Sequence, residues 1–266
     1  MPWLSSDPTQ TYPTAIPVGH VSHHKGPWVR LLADTPAPAA AILVEASGTE
    51  LGTYLLDVCY GPPGVTPFTG AHVRVLPDLL LGGRPFQLYP YTFPVPLPAG
   101  VDVWACAQVN GSIHQVHATV HLWLPASDTA PYARVTPYGA HPELSRGTPV
   151  EPGGTANAYG PWWELDPLTA RPIRAVALAL GGAGDFTRSA CKWRVDVGVG
   201  PLGAEVPVLE ALSADCNSIA DQVMPPVIGP LPVDEIPANS RLVMRAKCSI
   251  VTVGDRSFDA IVYGLD

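Results

Sequence analysis

Apolar and polar residues alternate over short stretches of this chain, and turn residues close each stretch. Tyr54, Leu56, Val58 and Tyr60 alternate with Leu55, Asp57 and Cys59 ahead of Gly61-Pro62-Pro63-Gly64, and Trp193, Val195, Val197 and Val199 alternate with Arg194, Asp196 and Gly198 ahead of Gly200-Pro201-Leu202-Gly203. A period of two belongs to a strand with one covered face. The same reading predicts strands over residues 101–109 and 240–249, with Leu242, Met244, Ala246 and Cys248 on one face and Arg241, Arg245 and Lys247 on the other. Closing strands are expected at 113–124 and 257–265, with Val116, Ala118, Val120, Leu122 and Leu124 inward in the first, and shorter ones at 40–45, 71–76, 175–180 and near 94–97. Only residues 208–223 show helical spacing, at Leu209, Leu212, Ile219 and Val223. Their counterpart at 71–84 carries Pro77 and Gly82-Gly83, which argues against a helix.

That counterpart exists because the chain is written twice. At an offset of 134, Gly26-Pro27-Trp28, Leu31, Thr35 and Pro38 match Gly160-Pro161-Trp162, Leu165, Thr169 and Pro172. The frame then slips by five residues near Gly181-Gly182-Ala183-Gly184-Asp185, a loop composition in which insertions are tolerated. At the new offset of 139, Asp57-Val58, Gly61-Pro62, Gly64, Pro98-Ala99 and Ala107 match Asp196-Val197, Gly200-Pro201, Gly203, Pro237-Ala238 and Ala246. Many short strands in about 100 residues need a second sheet to cover their apolar face, so each repeat is expected to be one jelly-roll-like β-sandwich. The fold class is therefore all-β, with two tandem duplicated sandwiches. The expected organisation is an extended arm at 1–25, repeat 1 at 26–125, a stiff proline-rich linker at 126–159 and repeat 2 at 160–266.

Composition supports this and narrows the function. With 32 prolines and 25 glycines in 266 residues, long helices are excluded, while 47% apolar residues exclude disorder. The net charge is −8 and the basic residues form no run, which argues against nucleic acid or an acidic membrane as partner. No apolar stretch is long enough to span a bilayer, and the Met1-Pro2-Trp3-Leu4 start lacks a signal-peptide pattern, so a product that stays in the cytosol where it is made is expected. Cys59, Cys106, Cys191, Cys216 and Cys248 form no CxxC pair and read as small buried hydrophobes.

Candidate chemistry is sparse. His20, His23 and His24 lack a second ligand pair, and His117 and His121 fall about 13 Å apart along a strand, so no metal or other cofactor is expected. Neither a Gly-x-Ser-x-Gly elbow nor a phosphate loop occurs. The positions kept in both copies, Trp28, Asp57, Gly61, Gly64 and Pro98 with Trp162, Asp196, Gly200, Gly203 and Pro237, read as structural. For Asp57 and Asp196 the expected role is accepting backbone N–H groups; for Trp28 and Trp162 it is covering an open end of the core, with sugar stacking as the alternative. With charged residues at 14% against about 25% in an ordinary domain, much of the surface is expected to lie under other subunits.

The pattern His24-Lys25-Gly26-Pro27-Trp28, Leu56-Asp57-Val58 and Leu97-Pro98-Ala99-Gly100, repeated as Tyr159-Gly160-Pro161-Trp162, Val195-Asp196-Val197 and Ile236-Pro237-Ala238-Asn239-Ser240-Arg241, resembles small virion structural proteins of tailed bacteriophages. It departs from that pattern at Val101-Asp102, where a basic residue is expected. The resemblance implies a tail or fibre-apparatus component of the virion, made in the host cytoplasm, without enzymatic activity, oligomeric and packed against other virion proteins. The alternatives are a capsid decoration protein, a carbohydrate-binding adhesin that takes a host surface glycan, and a glycan hydrolase.

Overall fold

The computed structural model describes residues 3–5, 13–67, 71–83, 85–111, 114–124, 129–182, 190–217, 222–252 and 256–266. The first sandwich pairs a sheet of β3 (Val29–Leu32), β8 (Asp102–Val109), β5 (Gly52–Gly61) and β6 (Val73–Gly83), in that order, with a second sheet. The latter runs β9 (Gln115–Trp123), β4 (Ala41–Gly48), β7 (Tyr89–Phe93), and β1 (Trp3–Ser5) and β2 (Thr14–Pro17) share the outer side of β9. The second sandwich repeats the order. One sheet is β13 (Trp163–Asp166), β19 (Leu242–Cys248), β15 (Cys191–Val199), β16 (Val206–Asn217) and β17 (Gln222–Met224). The other is β11 (Ala140–His141), β12 (Arg146–Val150), β20 (Phe258–Leu265), β14 (Ile173–Gly182) and β18 (Val227–Ile236), with β10 (Val135–Tyr138) also on β20. Among the described residues the only helix is one 3₁₀ turn at Pro142–Leu144, and no helix is long and apolar enough to cross a membrane.

Alternation holds along β9, where Val116, Ala118, Val120 and Leu122 are fully buried between half-exposed neighbours; β5 departs from it, because Leu55, Asp57 and Cys59 are buried as well as Tyr54, Leu56 and Val58. The segments expected as arm and linker are extended, and they are also paired. β2 runs antiparallel to β9, while β10 and β12 run antiparallel to β20, so these segments complete sheets in place of merely spanning the gap. Proline suits them because an edge strand leaves one row of backbone groups unpaired. Parts of both segments (1–2, 6–12 and 125–128), and Ala183, Gly184 and Asp185 of the slip loop, lie outside the described residues.

The helically spaced window is strand where it is described, in β16 and the start of β17, and Ile219 lies outside the described residues. The register of β16 explains the spacing: Val195 faces Leu212 and Val197 faces Leu209, so Glu210 and Ala211 together oppose Asp196. This β-bulge inserts a residue into the alternation and moves the next buried position from i+2 to i+3, which imitates a helix. Copy 1 carries the same bulge, with Leu56 against Leu79 and Val58 against Leu76, leaving Pro77 and Asp78 opposite Asp57. Asp78 and Ala211 adopt φ of 50° and 54°, the left-handed conformation that such a bulge imposes.

The two sandwiches share a buried junction. Along β14, Val176, Leu178 and Leu180 enter the core of the second sandwich, whereas Ala175, Ala177 and Ala179, with Ile261, Tyr263 and Leu265 of β20, join the core of the first. The small alanine row lets β14 approach β6 and β7 closely. There it meets the edge of β6, whose outward-pointing backbone groups pair with no strand among the described residues. Tyrosine hydroxyls take them. The Leu80 N–H donates to Tyr263 Oη at 2.8 Å, and Tyr263 donates to the Asp78 carbonyl at 3.0 Å. Tyr91 donates to the Leu80 carbonyl at 2.5 Å, and the Tyr89 hydroxyl reaches the Gly82 carbonyl at 2.5 Å and that of Leu180 at 3.2 Å. The Tyr263 ring stands edge-on to Tyr91 and to Phe93, each at 5.7 Å, and the Gln87 amide donates to the Val223 carbonyl. A buried N–H or C=O left unpaired costs about 1–3 kcal/mol. Tyr263→Phe keeps the ring and removes the hydroxyl, so it is expected to lower the melting temperature by about 4–8 °C. Calorimetry of the variant showing an unchanged Tm would refute this role.

Candidate functional site

The residues kept in both copies serve the backbone. Asp57 Oδ1 accepts the Asp78 N–H at 2.8 Å, and Asp196 Oδ1 accepts the Ala211 N–H at 2.8 Å, so each carboxylate ties down the bulge residue opposite it. Thr35 donates to the Pro98 carbonyl and accepts the Val101 N–H; Thr169 donates to that of Pro237 and accepts the Ser240 N–H. Gly64 and Gly203 share φ near 70–80° (72° and 81°) in the turns after β5 and β15, and Gly200 sits at 126°. At Gly61 the His72 ring lies where a Cβ would stand, and at Gly26 and Gly160 the carbonyls of Pro17 and Pro152 do.

The partners of these fixed points have diverged. Lys25 Nζ bridges Asp57 at 2.8 Å and Asp78 at 3.0 Å, with Arg74 3.4 Å from the other Asp57 oxygen. In copy 2 the counterpart of Lys25 is Tyr159, whose hydroxyl donates to Asp196 at 2.9 Å, and the cation comes instead from Arg245 at 2.9 Å. The pair Arg30–Asp102 at 3.3 Å is reversed in charge as Glu164–Arg241 at 2.6 Å, which accounts for the acidic residue after Val101. Burial alone would push the Asp102 carboxyl up, but the N–H groups of Gly64 and Asp34 and the Arg30 guanidinium together hold it below the usual range. Asp78 is the opposite case: burial raises its carboxyl, the nearby Asp57 adds to that, and Lys25 offsets only part.

Trp162 does not plug a core. It lies across the outer face of the β13–β17 sheet, where a Cβ on Gly198 would come within 2.8 Å of its ring, and the Arg245 guanidinium sits 4.4 Å from its centre. Gly198 leaves that space; the equivalent position in copy 1 is Cys59. Trp28 is half-buried. His121 binds Ser5 at 2.7 Å and Glu45 at 3.3 Å, His117 packs beside Phe86, and His23 meets Ser145 at 3.1 Å. Among the described residues no group of three or more His, Cys, Asp or Glu side chains is placed to hold a metal ion. All five cysteines are buried free thiols. Cys191, Cys216 and Cys248 meet inside the second sandwich, where a hydrogen bond from Cys191 lowers the Cys248 thiol to about 7, while burial lifts Cys59 to about 12.

The outer faces of the two equivalent sheets differ most. In copy 1 the face bearing Leu55, Asp57, Cys59, Cys106 and Gln108 is closed: Lys25 covers Asp57, and Gln108 donates to the Pro142 carbonyl at 2.5 Å and to Ser145 at 2.9 Å. In copy 2 the same face is open and holds a groove of about 490 Å³ lined by Lys192, Arg194, Ser213, Asp215, Lys247 and Ser249, with Asn157 and Met224 at its sides. Lys192 and Arg194 are exposed and Lys247 lies 4.8 Å from the Tyr159 ring; among the described residues none of the three has an acidic partner within 4.0 Å. Sequence reading saw these cations as scattered. Alternation in β15 and β19 gathers them, with Arg194 directly across from Lys247.

No family model matches the sequence, and no curated protein matches it. Solved structures do show similarity. The tandem CBM22-1–CBM22-2 domain of Xyn10C from Paenibacillus barcinonensis is 10% identical over 94% of this chain and 86% of that one, at a TM-score of 0.26. A triple jelly-roll turret protein of an archaeal virus is 9% identical at a TM-score of 0.24; the match covers 95% of this chain but only 58% of that protein. PNGase F of Flavobacterium meningosepticum, a glycosylasparaginase, is 11% identical over 99% of this chain and 96% of its own, at a TM-score of 0.30. These likenesses concern fold alone. The last corrects one expectation: an all-β chain free of familiar catalytic motifs is not thereby free of enzymatic activity, because an amidase is among the structures of similar architecture.

Two outcomes follow from the fixed points. Asp57→Ala strands the Asp78 N–H and leaves Lys25 with Asp78 as its one acidic partner, and is expected to cost about 2 kcal/mol or more in urea denaturation; a loss below about 1 kcal/mol would contradict the role. Asp102 has a folded pKa below its unfolded value, so its stabilisation is whole above about pH 5 and drains away as pH falls through the folded value. Asp102→Asn should therefore flatten the acid limb of the stability curve below about pH 4, and an acid limb as steep as that of the wild type would speak against it.

Proposed function

We propose that the chain is a structural component of a bacteriophage virion, of the tail or fibre apparatus, built to be packed against neighbouring subunits. The observation that carries this reading is the flank formed by β16 and β18. It is the counterpart of the β6–β7 flank, which the first sandwich buries under the second: Leu76, Leu79, Leu80 and Leu81 are fully covered there. On the second sandwich, among the described residues, no element of the first sandwich covers the same flank, and only β17 pairs with the far end of β16. Val208, Leu209, Leu212, Ile228, Leu231 and Val233 are only half-buried, and Val206 is 61% and Leu202 85% exposed at its end. An apolar flank of this extent is what an assembly surface presents before its partner arrives.

The paired N-terminal segment and the resemblance in the turn and strand pattern support the same reading. Capsid decoration uses the same surfaces and is separated from a tail position by where labelled protein sits on the particle. The flank predicts concentration-dependent association. In sedimentation velocity the purified chain should form oligomers or bind other particle components, and Leu202→Glu with Val206→Glu should abolish this at an unchanged melting temperature, since both side chains stand outside the core. A wild-type chain that remains monomeric at high concentration and binds no other component of the particle would overturn the proposal.

A further inference from the structure

We infer that the groove on the outer face of the β13–β17 sheet is a binding site for an acidic polysaccharide, one whose sugar hydroxyls are interspersed with carboxylate or sulfate groups. This goes beyond the packing role, which rests on a different surface.

Charge is the first ground. In a chain of net charge −8, the cations elsewhere are largely spoken for: Lys25 by Asp57 and Asp78, Arg146 by Asp259, Arg241 by Glu164 and Glu205, and Arg256 by Glu151. Lys192, Arg194 and Lys247 have no acidic partner among the described residues, and they share one groove. Lys192 and Arg194 lie two residues apart on one strand, about 7 Å, and Lys247 is across from Arg194 on the next strand at about 5 Å. Three cations held this close repel one another, the single carboxylate of Asp215 across from Lys192 offsets only part of that, and an anionic ligand relieves the rest.

The second ground is the mixture of groups. Ser213, Asp215, Ser249 and Asn157 line the same groove. Their hydroxyl, carboxylate and amide groups donate to and accept from alcohols. Asp215 faces Lys192 across the β15–β16 pair and is exposed, so it disfavours a polymer with a phosphate at every unit while accepting hydrogen bonds from a polyol. Beside the groove, Tyr159 lies 4.8 Å from Lys247 and is oriented by Arg245 at 4.3 Å, which gives it a stiff aromatic margin.

The third ground is that the feature belongs to one copy alone. In copy 1 the position of Arg245 is Cys106 and that of Lys247 is Gln108, and the face is closed. A duplication that keeps its backbone contacts while adding cations to its one open face has acquired something the fold does not need.

The test uses the full-length chain and oligomers of polygalacturonate, with dextran as the neutral control and an oligothymidylate of equal charge as the phosphate control. Binding is read by isothermal titration at low and physiological salt. The expected result is saturable binding of polygalacturonate, weaker binding of oligothymidylate, none of dextran, and at least about a tenfold loss in Lys192→Ser/Arg194→Ser, whose side chains are exposed. Arg134→Ser, an exposed cation away from the groove, should bind as the wild type does. Absence of polygalacturonate binding at low salt overturns the inference. So does tighter binding of oligothymidylate, or an equal loss in Arg134→Ser.

Discussion

An edge strand cannot be left buried with its backbone unpaired, and this constraint at β6 organises the molecule. Asp78, Leu80 and Gly82 point their free groups away from β5, into a space that excludes water. Another strand would satisfy them and extend the sheet. Tyrosine hydroxyls satisfy them and end it, and since Tyr263 comes from the second sandwich, the edge of one unit is closed only when the other is in place. The alanine row on β14 is the complementary requirement, because larger residues would hold Tyr263 away from Leu80. Docking the second sandwich in this way covers the flank and much of the outer face of the first, and leaves the equivalent flank and face of the second without such a cover among the described residues. Both proposed surfaces are consequences of that asymmetry.

Duplication then separates what the backbone demands from what the surroundings allow. The bulge in β6 and β16, the loop held by Thr35 or Thr169, and the left-handed glycines recur because each supplies a partner or a φ that the chain path needs. Side chains that only balance charge have been rewritten: Arg30–Asp102 against Glu164–Arg241, and Lys25 with Asp57 against Tyr159 and Arg245 with Asp196. Loss of the Leu80 side chain at its counterpart Ser213, and of the β7 tyrosines at theirs, explains why copy 2 does not use its flank as copy 1 does. That flank remains apolar, but neither β16 nor β18 carries a tyrosine to cap a bare edge.

Much of the architecture was legible in the sequence because period-two alternation and turn chemistry are local. Strands β5, β9, β15 and β19 and the register of the repeat came from this. The hydrogen bonds of Asp57 and Asp196 to the bulge residues had a signal as well, since both copies keep an acid at the same place before a Gly-Pro turn. The junction was not read, although its signal was there: residues 175–180 run Ala-Val-Ala-Leu-Ala-Leu with no polar face, which marks a strand covered on both sides. The proline-rich segments were underestimated because prolines at an edge resemble prolines in a linker. The groove was missed for another reason. Lys192 and Lys247 are 55 residues apart, and only the pairing of β15 with β19 makes neighbours of them.

The whole account depends on the second sandwich closing the β6 edge. Native-state hydrogen exchange at the Leu80 amide measures this directly. If Tyr263 holds that N–H in a dry junction, exchange should occur only on the timescale of global unfolding, as for the core amides of β5. Exchange of Leu80 at the rate of an exposed edge amide, while β5 stays protected, would mean that the two sandwiches separate in solution and would contradict the account.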